Sequence, residues 1–184
     1  SETSYFFPDS TLSEKEKSLI DRVIEYISDP TQRETGLSFI LNSLDTPRFC
    51  SILLQVHPRL YAQFLDSEDP VSLTNSLYIV NALSKRPEFV AVFVKHDPHI
   101  LASVNKLLGS QVTTIVEQAV GILYAFVSVV RNFDVLNVFI QPLINAMTTD
   151  PVYRPAIMVL LTKLIASPKN QQTFIDGNGL AAVK

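Results

Sequence analysis

Three histidines, one cysteine and a short acidic run are the residues of this chain with the most reactive side chains. His96 and His99 flank Asp97-Pro98, and His57 precedes Pro58. A helix-borne zinc pair needs two ligands on one continuous face. Pro98 interrupts the helix between His96 and His99, and His57 and His96 fall at nearly equivalent turns, so the spacing predicts turn roles and no metal. Cys50 lies in the apolar run Phe49, Ile52, Leu53, Leu54 with no local His or Asn. Apolar surroundings raise a thiol pKa, so it is expected to pack as a small hydrophobe. Asp66, Glu68 and Asp69 precede a helix start and read as a cap and solvated turn, or as a small acidic spot for a basic partner. The five glycines form no phosphate-cradling loop, and Gly177-Asn178-Gly179 reads as a turn. No catalytic residue, metal or cofactor is expected, which points to a non-enzymatic chain.

The elements that would carry any site are set by punctuation. Asp29-Pro30 recurs as Asp69-Pro70 and Asp150-Pro151; Pro47 recurs as Pro87 and Pro168. Phe49 matches Phe89, and Leu53, Phe93 and Phe174 fall in equivalent places. A period of about 40 residues signals stacked helical repeats. Ser13 with Glu16 is a capping box that opens a helix through Ile27. Its dry face is Leu19, Ile20, Val23, Ile24 and Ile27; its wet face is Lys15, Lys17, Asp21, Arg22 and Glu25. Residues 1–12 read as an N-terminal arm and 13–28 as a cap helix. Long helices are predicted over 30–44, 70–85, 112–131 and 152–166, with Asp capping and Pro in the first turn of three of them. Short helices follow at 47–55, 87–96, 133–140 and 168–176, and second short ones at 58–65, 98–108, 142–148 and from Gly179. Two-residue alternation is absent, so the chain is read as all-α.

Composition bounds the function classes. Of 184 residues, 47% are hydrophobic, enough for a sizeable core. The net charge of −3 and absence of a basic stripe point away from nucleic acid. The apolar run from Ala119 to Val130 is shorter than the roughly 20 residues a membrane span needs, so no membrane insertion is expected. One cysteine rules out an internal disulfide, no secretory signal opens the chain, and a cytoplasmic setting, with the nucleus open, fits.

The three-helix unit resembles the armadillo repeat family. The match is best in 170–183, where Asn170, Phe174, Ile175, Gly177, Gly179, Leu180 and Val183 occupy the family's places. Residues 79–85 (IVNALSK) look like its third-helix ending and 107–110 (LLGS) like its second-helix ending. The short extra helices favour it over two-helix HEAT repeats. The resemblance implies a right-handed α-solenoid of about four repeats, approximately 29–68, 69–110, 111–149 and an incomplete 150–184. It also implies a concave groove lined by the long helices. On helix 70–85 the core stripe is Leu73, Ile79, Val80 and Leu83, with Leu77 at its edge; the groove stripe is Thr74, Tyr78, Asn81 and Lys85. On helix 112–131 the core stripe is Ile115, Ala119, Ile122, Leu123 and Phe126; the groove stripe is Thr114, Glu117, Gly121, Tyr124, Ser128 and Arg131. Importin-alpha-like members grip basic peptides with a Trp and, four residues on, an Asn. Here Leu77 holds the Trp place before Asn81, and Val120 and Tyr124 hold the pair in the next unit.

The implied function is a protein-interaction scaffold that binds a peptide or partner domain along the groove, with Tyr and Asn holding an extended backbone. The alternative is a regulatory region of a larger protein that packs on another domain or self-associates through its apolar C-terminal half. Residues 111–184 carry only 9 charged side chains against 24 in 1–110. The chain stops before a helix that would cover Ile157, Leu160, Leu161, Leu164 and Ile165. An open stripe, self-association through 150–184 and a fragment of a longer array are therefore expected.

Overall fold

The fold is that of a computed structural model describing residues 12–149 and 151–184. It is all-helical, 79% helix, with no strand among the described residues. Twelve α-helices are described: α1 Glu14–Ser28, α2 Arg33–Asn42, α3 Pro47–Val56, α4 Leu60–Leu65, α5 Pro70–Ser84, α6 Pro87–His96, α7 His99–Leu107, α8 Thr113–Val129, α9 Ile140–Thr149, α10 Arg154–Leu164, α11 Pro168–Asp176 and α12 Gly179–Ala182. Two 3-10 segments, Phe133–Phe139 and Pro151–Tyr153, precede α9 and α10. The expected arm lies almost wholly outside the described residues, as does Asp150.

Two compact units divide the chain, residues 1–100 and 101–184. In the first, α1 packs on α2, α2 on α5, α3 on α6, and α4 against both α3 and α5. The capping box forms as the sequence predicts: the Glu16 N–H donates to Ser13 Oγ at 3.1 Å and the Ser13 N–H to Glu16 Oε1 at 3.3 Å. Gly36 lets α1 and α2 approach closely, since a Cβ there would meet Ile27 Cγ1 at 2.7 Å. Around α4, Tyr61 meets Phe93 edge-on at 5.5 Å, Phe93 meets Phe89 at 4.9 Å, and the Tyr61 hydroxyl donates to the Cys50 carbonyl at 3.1 Å.

The six-residue helix α4 has an unusual start. Arg59, its N-cap, is left-handed at φ 77° and makes no side-chain cap. The cap comes instead from Asp97, 35 residues on, whose Oδ2 accepts the Ala62 N–H at 3.0 Å. Asp97 is fully buried and its Oδ1 has no hydrogen-bond partner.

In the second unit, α8 packs on α10, and α9 meets α10, α11 and α12. Asn170, one of the residues that carry the resemblance, is fully buried. Its Nδ2 donates to the carbonyls of Leu164 at 2.8 Å and Phe133 at 2.9 Å, and its Oδ1 accepts from Asn137 at 2.9 Å. One amide thus ties α11, the end of α10 and the long 3-10 segment together. Ser167 also donates to the Asp134 carboxylate. The Tyr153 hydroxyl holds the Thr113 carbonyl at the start of α8, 2.7 Å away.

Four expectations need correction. Asp69 caps α5 through the Ser72 N–H at 3.1 Å, but Asp29 does not cap α2. Asp29 turns back on Thr31 N at 2.9 Å, and the long helix starts at Arg33 rather than residue 30. The helix expected from 152 starts at Arg154, because Pro155 is tolerated only in a first turn. Residues 133–139 form a 3-10 helix: Leu136 and Phe139, three apart, are its buried face, which suits three residues per turn. Last, the stripe expected to be open is covered. Ile157, Leu160, Leu161 and Leu164 are all buried, and Ile165 is half-buried, because α10 packs on both α8 and α9.

Candidate functional site

The two proposed binding faces sit on α5 and α8, one in each compact unit. α5 separates its faces through helical periodicity. Leu77, Ile79, Val80 and Leu83 are buried and Leu73 is half-buried. Ser72, Ser76 and Ser84 join them in the interior. Ser76 and Ser84 donate to the carbonyls four residues back at 2.6 and 2.7 Å, and the Ser72 hydroxyl donates to Asp69 at 2.7 Å. On the other side Thr74, Tyr78 and Lys85 are exposed and Asn81 is half-buried. Tyr78 is 61% exposed, a large fraction for an aromatic ring. Val71 is exposed one turn before Thr74.

α8 is built the same way. Ala119, Ile122, Leu123 and Phe126 are buried, with Val116, Val120 and Val127 beside them, and Ile115 is half-buried. Thr114, Glu117, Gly121, Tyr124, Ser128 and Arg131 are exposed. The Thr74 and Ser128 hydroxyls donate to the carbonyls four residues back, at 2.8 and 2.9 Å. Their hydrogens are thereby engaged, and each oxygen is left as an acceptor.

A residue that the sequence reading passed over completes the α8 face. Lys163 of α10 lays its Nζ over the Tyr124 ring, 5.1 Å from the centroid, in a cation–π contact across two neighbouring long helices. Val159, one turn earlier on α10, is exposed too. The signal was available: Lys163 falls outside the stripe of buried Ile157, Leu160, Leu161 and Leu164 on a helical wheel, at its flank.

Two clefts open beside the N-terminal turns of the long helices. In the first unit a cleft of about 600 Å³ is lined by Arg33, His57, Gln63, Phe64, Asp69 and Ser72. The Asp69 carboxyl is held below its ordinary range, chiefly by the Ser72 hydroxyl and N–H. In the second unit a cleft of about 500 Å³ is lined by Asn105, Lys106, Thr113, Asn145, Thr149 and Tyr153.

The remaining reactive groups are set in the scaffold. Burial pushes the Cys50 thiol up to about 11, so it stays protonated at neutral pH. His57 caps the C-terminus of α3 and His96 closes α6, where burial lowers its pKa. His99 opens α7. No group of three or more His, Cys, Asp or Glu that could hold a metal occurs among the described residues, nor does a helix long and apolar enough to cross a membrane. Comparison with protein-family models, curated proteins and solved structures finds no match.

Proposed function

We propose that the chain is a non-enzymatic interaction scaffold, an armadillo-like solenoid of three-helix repeats that binds a peptide or partner domain on the exposed faces of its long helices. The observation that carries this reading is the Tyr124–Lys163 contact. It joins the solvent faces of two successive long helices into one surface with an aromatic centre and hydrogen-bonding flanks. The pairings of α2 with α5, α3 with α6 and α8 with α10 support the repeat, since like packs on like about 40 residues along the chain. Exposed tyrosines among acceptor hydroxyls suit an extended backbone, which needs flat contact and partners for its N–H groups.

The test is selection from a displayed random-peptide library, followed by affinity measurements on Tyr78→Ala and Tyr124→Ala. Peptides should be recovered whose binding falls roughly tenfold or more with one of these changes, as truncating an aromatic anchor does. Failure to recover any peptide, or binding indifferent to both changes, overturns the proposal. The second reading, packing on another domain or a second copy, rests on the exposed Ile175 and Leu180 on either side of the Gly177–Gly179 turn. Sedimentation of the chain with Ile175→Lys and Leu180→Lys decides it: concentration-dependent association that these changes abolish supports this reading, and a monomer removes it.

A further inference from the structure

Resting on the α8–α10 face as a binding surface, we propose that its occupant is an acidic, extended peptide segment lying along Tyr124, Lys163, Ser128 and Arg131. Three observations fix the sign of the charge.

First, the two units differ in balance. Residues 101–184 carry six Lys and Arg against four Asp and Glu, whereas residues 1–100 carry nine against fourteen. The chain is acidic as a whole, yet its second unit is cationic, so an acidic ligand is favoured there against the trend of the molecule.

Second, the cation on the face and the one just beyond the end of α8 are not ion-paired. Neither Lys163 nor Arg131 is ion-paired among the described residues. Lys163 is exposed, and it extends its ammonium over the Tyr124 ring. A carboxylate arriving beside the ring meets a cation already held in place. Arg131 follows the extended C-cap Val130 at the end of α8, seven residues on from Tyr124, and is exposed, with a guanidinium fork that suits a second carboxylate.

Third, the face gives the peptide a direction. Glu117 lies two turns on the other side of Tyr124, so acidic side chains are favoured from Tyr124 towards Arg131 and disfavoured towards Glu117. One turn on from Tyr124, exposed Ser128 offers an acceptor oxygen, because its hydrogen is donated to the Tyr124 carbonyl. That oxygen suits a peptide N–H. Lys163 also stands in the last turn of α10, where a cation is stabilising without any ligand. Its role in recognition must therefore be read in binding rather than in stability.

The experiment uses the 184-residue chain and three fluorescein-labelled peptides of equal length, with alternating Glu and Ser, Gln and Ser, or Lys and Ser. Anisotropy should show the Glu peptide bound most tightly, with affinity falling as salt rises. Lys163→Glu and Arg131→Glu should each weaken it roughly tenfold, and Glu117→Lys should strengthen it; thermal melts confirm that each variant is folded. Equal or tighter binding of the Gln or Lys peptide, still lost in Tyr124→Ala, overturns the acidic assignment while leaving the binding face in place. Binding of the Glu peptide that ignores both reversals overturns the site. Tighter binding of polyuridylate than of the Glu peptide overturns the peptide class. Failure of all the peptides, together with failure of the library selection, overturns the underlying reading as well.

Discussion

Asp97 is a carboxylate placed where its neutral form is favoured. Burial raises its pKa, while the Ala62 N–H and the charges of His99 and Arg59 pull it down and Asp66 adds to the rise. The native state therefore holds a proton more tightly than the unfolded chain does. The stability contributed by neutral Asp97 is complete below the ordinary aspartate value near 3.8 and is lost as pH rises through the higher folded value. Asp97→Asn keeps an oxygen for Ala62 and removes the titration. Chemical denaturation at a series of acid pH values should show the variant losing less stability than the parent as pH rises. An unchanged slope would mean that Asp97 is solvated. At the same scale, Leu83→Ala and Leu123→Ala should each cost about 2–5 kcal/mol, because both side chains are fully enclosed. Tyr78→Ala and Tyr124→Ala should cost about 1 kcal/mol or less, the Tyr124 loss including its cation–π contact. Equal losses in all four melts would overturn the assignment of faces. Those faces were legible because a 3.6-residue period separates them on one helix. Asp97 was not, because its partner is 35 residues away and nothing local marks it as a cap.

At the scale of elements, the helices of the sequence reading recur with ends shifted by a few residues, since Pro and capping residues act within one turn of their position. Where the reading missed, a second local signal competed. Thr31 drew Asp29 into a turn, and Pro155 delayed α10. The three-residue spacing of Leu136 and Phe139 fits a 3-10 helix as readily as an α-helix, and periodicity over so short a run does not separate them. Two changes test the joints. Ser13→Ala should cost about 1 kcal/mol by removing the capping box. Asn170→Leu should cost about 1–3 kcal/mol, since it removes three hydrogen bonds at this joint and leaves the Leu164 carbonyl only the Ser167 N–H and the Asn137 amide only Thr173 Oγ1. Urea titration reads both, and a neutral Asn170→Leu would mean that water replaces the amide.

For the whole molecule, the covered stripe of α10 changes what polar substitution should do. Leu164→Lys is expected to unfold the second unit rather than disperse aggregates, because Leu164 is enclosed by the chain itself. Circular dichroism and light scattering on that variant separate the two outcomes. What the sequence could not reveal at this scale was coverage, which depends on how α8, α9 and α10 pack and on no property of residues 154–164 alone. The borrowed cap of α4 has a further consequence, in the order of events during synthesis. A six-residue helix does not persist alone in water, and the carboxylate that completes α4 leaves the ribosome 35 residues after the N–H it accepts. Residues 60–65 must therefore wait, unfinished, through the translation of α5 and α6. A nascent chain arrested before residue 97 should expose this segment to protease, and one released after α6 should protect it.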